Sequence, residues 1–540
     1  MPNAFAYAML LFWPLVGLVL FMRLPRSEAL IWTLVAGYLL LPAGVTIDLP
    51  VLPALTKTSS PVFTGLIMCL AGVGSAVARR QRRTGKRNPP GEAPSGAEPA
   101  EPQSGWLPRS LLGKILLFAV IFGPLVTGFL NTDRIDFSYG GFVKGLKPYD
   151  AFASAMNYSV MIVPMLLARK YLASAQDQRL LLRILMLAGL AYSLPMLVEM
   201  RLSPQMHVWF YGFFPHSFAQ TYRFGGWRPA VFLGHGLLLA LFAAMAFLAA
   251  AALWRTAAKE NRPRLLLATL WLGIMLVFCR SVGSLAIGML IVPMILILGR
   301  RTQMLVAVMI AALVLLYPTL RGGGVMTASG IISVTEKLVP SKVGSIGLRV
   351  RNEDTLLARA AERPAFGWGI WGRSRVYDED TGRDLSVTDG AWVIVIGTYG
   401  WVGYLGTFGL LTLPIFGLFR LRADPQVTLE TSALCLILAL NLLDLLPNSG
   451  MTLITWMLAG SLMGRAEQIA ASRTERLSRR RVMRDAAPPP AADGPPGGAE
   501  ETAVAPRPPR TNPPGGAIGL RTGGKARVAP HHASRDRSPR

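Results

Sequence analysis

The sequence predicts an all-α, polytopic bundle of about 13 transmembrane helices with one large extramembrane loop. Three observations predict it. First, 52% of the 540 residues are hydrophobic and only 16% are charged, with a mean hydropathy of +0.41, whereas a soluble chain carries roughly a quarter charged residues. Second, the apolar residues fall in runs suited to the hydrocarbon core, which takes about 20 residues per helix. Third, the 55 Lys and Arg, against 30 Asp and Glu, collect in short loops between those runs and in a Pro-rich tail. That is the pattern of the positive-inside rule, not of a nucleic-acid-binding surface.

The first run, 4–22, has no basic segment before it and is followed by Arg23 and Arg26, so it reads as a retained span and not a cleaved signal. Runs at 27–44 and 61–78 complete an N-terminal transmembrane part, 1–87, closed by Arg79, Arg80, Arg82, Arg83, Lys86 and Arg87. Residues 88–110, dense in Pro, Gly, Ala and charge, are expected to form a disordered cytoplasmic linker. The transmembrane core, 111–318, holds runs at 111–130, 151–168, 180–198, 229–253, 265–279, 282–298 and 303–318. Basic punctuation follows at Arg169-Lys170, between Arg255 and Arg264, and at Arg300-Arg301. A long loop, 319–388, contains a helix-like stretch at 350–362 and the aromatic residues Phe366, Trp368 and Trp371; a loop of this length is expected to be ordered and functional. C-terminal helices, 389–465, carry runs at 391–419, 427–446 and 451–464, and 466–540 is expected to be a disordered, basic, Pro/Gly-rich cytoplasmic tail. Counting each run once places the basic loops in the cytoplasm and the N-terminus and the long loop outside. Cys69, Cys279 and Cys435 lie within or at the end of apolar runs and read as packing residues.

The outer side is unexpectedly rich in arginine: Arg134, Arg201, Arg223, Arg228, Arg280, Arg321, Arg349, Arg351, Arg359, Arg363, Arg373, Arg375 and Arg383. Single arginines find partners in acids such as Glu353, Asp354 and Glu362, but the set as a whole points to an anionic ligand, because guanidinium forks match phosphate oxygens bidentately. Asp378, Asp380, Asp384 and Asp389 approach calcium-loop spacing, but Arg383 stands where the loop needs glycine, so no metal is expected.

Three pieces occur in a fixed order. Cys279-Arg280-Ser281 separates two apolar runs. Arg349 or Arg351 opens an amphipathic stretch ending in Pro364-Ala-Phe-Gly367-Trp-Gly369. Thr388-Asp389-Gly390-Ala391-Trp392 precedes Gly400-Trp-Val-Gly403 in the next span. Together, and with Arg223-Phe-Gly-Gly-Trp-Arg228 upstream, they resemble the O-antigen ligase and O-antigen polymerase superfamily of bacterial inner-membrane glycosyltransferases. The resemblance implies a GT-C-like fold and metal-independent, cofactor-free transfer of an undecaprenyl-pyrophosphate-linked glycan at the periplasmic face. It implies Asp389 and Arg280 as catalytic residues, and Arg349, Arg351, Arg223, Arg228, Trp368 and Trp392 as substrate-binding ones. The family's ligases open the third motif with histidine where this chain has Asp389, so polymerisation of O-antigen or exopolysaccharide repeats is the expected reaction. Ligation to lipid A core is the alternative, with His216 and His235 as candidate bases, and a lipid-linked saccharide transporter is the alternative of another class. Expected partners are the lipid-linked glycan, membrane lipids and polysaccharide-assembly proteins, and no nucleic acid.

Overall fold

The computed structural model describes residues 1–49, 53–73, 105–138, 140–338, 340 and 343–485. Most of the expected linker (88–104) and the tail beyond 485 lie outside the described residues. The described residues up to Arg481 form one compact unit, and a second unit begins at Val482.

The all-α expectation holds. The described residues contain sixteen α-helices and only short two-stranded hairpins. Eight helices are long and apolar enough to cross a membrane: Ala4–Arg23, Leu111–Leu130, Pro148–Tyr171, Ala175–Leu202, Gly236–Arg255, Lys259–Phe278, Arg300–Gly322 and Ala391–Arg420. The chain is thus a multi-pass membrane protein. Helices also occupy the other expected runs, but Arg26–Leu40, Ser59–Leu70, Val282–Ile297 and Leu429–Asp444 have only 15, 12, 16 and 16 residues.

In chain order the helices are α1 (Ala4–Arg23), α2 (Arg26–Leu40), α3 (Ser59–Leu70), α4 (Leu111–Leu130), α5 (Pro148–Tyr171), α6 (Ala175–Leu202), α7 (Met206–Tyr211), α8 (Gly236–Arg255) and α9 (Arg262–Phe278). They continue as α10 (Val282–Ile297), α11 (Arg300–Gly322), α12 (Ala328–Leu338), α13 (Val343–Ala361), α14 (Ala391–Arg420), α15 (Leu429–Asp444) and α16 (Leu453–Asp485). Their starts follow local chemistry: Asn3, Ser110 and Thr428 cap α1, α4 and α15, and Ser174 with Asp177 forms a capping box on α6. Helix α8 is the hub, packed by α6, α9, α10 and α15. Its alanine-rich surface lets neighbours approach so closely that a Cβ on Gly189 of α6 would lie 2.5 Å from the Ala246 Cβ.

Helix α16 continues to Asp485, well past the expected end of ordered chain at 465. Residues 466–485 contain no Pro or Gly, and ion pairs hold the extension: Glu467 to the buried Arg169, Arg476 to Asp424 at 2.9 Å, and Arg479 to Glu475 at 2.7 Å. The boundary set by composition was therefore too early.

Over its described residues the long loop is built largely of helices. Helix α11 runs into it as far as Gly322, α12 and α13 follow, and α13 extends the helix expected at 350–362 back to Val343. The motif Pro364–Gly369 then enters a break in α14. At Gly400 the backbone turns to φ 66°, ψ −166°, and the ladder of α14 opens. The carbonyls of Gly397 and Thr398 accept from Trp368 N (2.9 Å) and Gly369 N (2.8 Å), while Trp401 N and Val402 N donate to the carbonyls of Pro364 (2.8 Å) and Ala365 (3.1 Å). The motif thus replaces two rungs of the helix with four hydrogen bonds. From the other side Thr127 Oγ1 and Asn131 Nδ2, at the end of α4, donate to the carbonyls of Phe366 (2.7 Å) and Gly367 (3.1 Å).

A hairpin between α4 and α5, β1 (Ile135–Asp136) with β2 (Phe142–Val143), is fastened to the same motif by the buried Arg373. Its guanidinium donates to the carbonyls of Trp368, Asp133 and Lys144 at 3.0, 2.7 and 3.1 Å. Asp133 receives both Arg373 (3.3 Å) and Arg363 (3.0 Å). Partial burial works against the Asp133 carboxylate, but the Arg363 hydrogen bond and the two guanidinium charges outweigh it and hold its pKa below the usual carboxylate value. A lowered folded-state pKa favours folding above the unfolded value, and the benefit is lost as pH falls through the folded one. We expect the loop to become protease-sensitive below about pH 4. Limited proteolysis of Asp133→Asn should show a smaller difference between pH 6 and pH 3.5 than wild type, and an unchanged difference would remove Asp133 from the cause.

Candidate functional site

The connection between α15 and α16 ties the beginnings of α8 and α14 to one end of the bundle. Ala391 N donates to the carbonyls of Leu445 (3.0 Å) and Asn448 (3.1 Å), and Gly450 lies against Leu238 near the start of α8. Two groups of side chains predicted from sequence stand at this end.

The first surrounds a cavity of about 240 Å³ whose lining includes Tyr317, Arg349, Glu353, Asp389 and Gly390. Arg349 Nε and Asp389 Oδ2 are 3.1 Å apart, with side chains 42% and 39% exposed. A pair this open is worth about 0–1 kcal/mol, so a competing anion or hydroxyl can separate it. Glu353, one helical turn beyond Arg349 on α13, is held by the Tyr317 hydroxyl at 3.3 Å and the Arg321 Nε at 3.5 Å. Burial pushes the Glu353 carboxyl above its usual pKa, against the charge of Arg321 and the Tyr317 hydrogen bond. One cavity therefore holds two carboxyl groups with unequal environments, the arrangement that separates proton-accepting from proton-holding roles. Arg321 is 5% exposed and anchors the loop helices to α11, donating to Asp354 and to the carbonyls of Val350 (3.0 Å) and Met326.

The second group is built on the hairpin β3 (Tyr222–Arg223) with β4 (Gly226–Trp227). Arg280, between α9 and α10, adopts φ 50° and donates from Nη1 to the carbonyls of Arg223 (2.9 Å) and Phe224. A Cβ at Gly226 would lie 2.2 Å from Arg280 Nη2, so a side chain there would displace the guanidinium tip from the turn. Arg228 is 2% exposed, and its Nε and Nη2 have no hydrogen-bond partner among the described residues. Burial and then the charge of Arg223 lower its pKa to about 10, which leaves it cationic at neutral pH. The enclosed space beside it is only about 10 Å³, room for about one water, so Arg228 charges the wall of the site and does not reach a bulky ligand. Arg223, Arg228 and Arg280 form no ion pair among the described residues, so their field is uncompensated.

His216 and His235 lie beside Arg228 with ring centroids 4.6 Å apart. The Nδ1 of His216 accepts from Ser217 N at 2.6 Å, and that of His235 accepts from Leu237 N at 3.0 Å. A backbone N–H thus engages Nδ1 of each ring and leaves Nε2 as the ring nitrogen without a backbone contact at that position. Burial, followed by the charge of Arg228, lowers the His235 pKa to about 4 and keeps it neutral.

Three expectations change. Trp392 is fully buried, edge-on to Tyr317 at 5.0 Å, and offers no face to a sugar. Trp368 is 7% exposed; the Arg359 and Arg363 guanidinium carbons lie 3.4 and 4.2 Å from its ring centroid, and its indole N–H donates to the Arg359 carbonyl at 2.8 Å. Both tryptophans are occupied in packing. Arg351 is exposed and does not line the cavity with Arg349. The four loop aspartates turn to separate partners: Asp378 caps Thr381, Asp384 meets Arg375, Asp389 meets Arg349, and Asp380 stays exposed. Glu353, read from sequence only as an arginine partner, proves central; its four-residue spacing from Arg349 on an amphipathic stretch was the available signal.

No protein-family model matches the chain, and no curated protein matches it.

Proposed function

We propose that the chain is a membrane glycosyltransferase that polymerises undecaprenyl-pyrophosphate-linked oligosaccharide repeats at the periplasmic face of a bacterial inner membrane, with about thirteen apolar helices as its spans. The observation that carries this reading is the cavity shared by Asp389, Arg349 and Glu353. A phosphate oxygen that draws Arg349 away frees the Asp389 carboxylate to take the proton of an acceptor sugar hydroxyl. The hydroxyl oxygen then attacks the anomeric carbon, and the bond to pyrophosphate breaks. The leaving charge develops in the field of Arg349, Arg280, Arg223 and Arg228, of which Arg280, held by two carbonyls, and the buried Arg228 are in place before the reaction. The backbone N–H contacts that engage Nδ1 of His216 and His235 support Asp389 as the base.

The test is to incubate purified protein in detergent with undecaprenyl-pyrophosphate oligosaccharide, with and without lipid A core, and to resolve products by size. A ladder formed without lipid A core is expected. A single transfer that requires lipid A core assigns a ligase instead, and an unchanged lipid in both reactions overturns the glycosyltransferase reading.

A further inference from the structure

A larger cleft, of about 600 Å³, lies at the start of α5, lined by Asp48, Asp150, Asn157, Ile370 and Trp371 among others. Its size is that of a small-ligand site. We propose that it is a saccharide-binding site, distinct from the arginine-rich groups, that takes an uncharged pyranose chain by stacking a ring on Trp371. For the natural ligand, the growing acceptor glycan, it rests on the polymerase reading.

Trp371 is the contrast to Trp368 and Trp392, with 54% of its surface exposed. It is held at φ 64°, a left-handed conformation that a bulky side chain rarely adopts. Such strain persists where the surroundings impose it, and it clusters at ligand clamps. Two groups fix the ring: its indole N–H donates to Asp150 Oδ1 at 3.2 Å, and the Lys144 ammonium lies 4.3 Å from its centroid. Asp150 is itself fixed, its Oδ2 accepting from Lys147 N at 2.9 Å at the start of α5. An aromatic anchor at a membrane interface requires neither the carboxylate clamp nor the strained backbone.

The remaining polar groups define the ligand. Asp48 and Asn157 are exposed on the cleft walls, and Asp150 keeps free lone pairs, so the site accepts and donates hydrogen bonds. No arginine lines the cleft and two carboxylates do, which disfavours phosphate and suits hydroxyl groups. An aromatic face beside carboxylate and amide groups is matched by a pyranose, with apolar C–H faces and a rim of hydroxyls.

The test uses the full chain in detergent and a phosphate-free oligosaccharide of several repeats, released by mild acid from the host's own polyprenyl-linked pool. Saturable binding to wild type is expected by calorimetry. Trp371→Ala should weaken it about tenfold while Trp371→Phe retains most of it. No saturable binding to wild type, or equal binding by Trp371→Ala, overturns the proposal. A wild-type ladder together with unaltered binding by Trp371→Ala would leave the polymerase standing and this site refuted. Trp371-dependent binding by a protein that makes no ladder would do the reverse.

Discussion

Asp389→Asn is expected to slow glycosyl transfer by about 10²- to 10⁴-fold, the range general-base catalysis contributes. The substitution keeps shape and size, and the amide oxygen can still accept from Arg349 at the 3.1 Å now seen, so the wall of the cavity should stay in place. What disappears is the capacity to take a proton. The measurement is the initial rate of ladder formation at saturating lipid-linked donor, with membrane insertion checked in parallel. A rate close to wild type would exclude Asp389 as the base and turn attention to Glu353 across the same cavity. Because Glu353 is held by Tyr317 and Arg321, Glu353→Gln would then be the informative second variant.

Gly400→Ala should be strongly destabilising. At φ 66° and ψ −166° the residue sits in a region open essentially to glycine alone, and a Cβ there would lie 2.3 Å from the Ala365 carbonyl oxygen and 2.6 Å from Phe366 N. Strain and clash act together, so a loss of at least about 3 kcal/mol is expected, read as a lowered thermal midpoint in detergent and poor recovery of folded protein. Gly344→Ala is the control: nothing lies within 4 Å of its added methyl, in an exposed turn of α13. It should be neutral or gain about 0.5–1 kcal/mol from the better helix former. Equal stability of the two variants would refute the account of the broken helix.

The sequence made the helices readable because a membrane span advertises itself by composition over its whole length, as the runs at 111–130 and 391–419 show against α4 and α14. It also placed Arg349, Asp389 and Arg280 at one end of the molecule, since the polar residues between apolar runs have few other places to go. What it concealed was pairing. Gly400 was visible within the run, but what fills a break there was not, because the replacement partners are backbone groups about thirty residues upstream and backbone groups carry no residue signature. Trp368 and Trp392 looked like sugar platforms because aromatic type signals capacity to stack, whereas burial depends on neighbours such as Arg359 and Tyr317 that meet them only in the fold. The end of α16 was misplaced because a charged, helix-forming stretch resembles a solvated tail until Asp424 and Arg169 are found beside it.

The joint between Pro364–Gly369 and α14 bears on how the chain can vary in length. Its four bonds are all main-chain, so the side chains of Ala365 and Phe366 are not fixed by those bonds and substitutions there are tolerable. Spacing is not. One residue added or deleted between Ala365 and Trp368 would break the register of these donors and acceptors, and one between Gly369 and Arg373 would shift Arg373 from the carboxylate it shares with Arg363. Insertions in relatives of this chain should therefore fall before α13 or in the segment from Tyr377 to Asp384, and a designed tag placed at those points should leave the span intact, whereas the same tag between Pro364 and Gly372 should not.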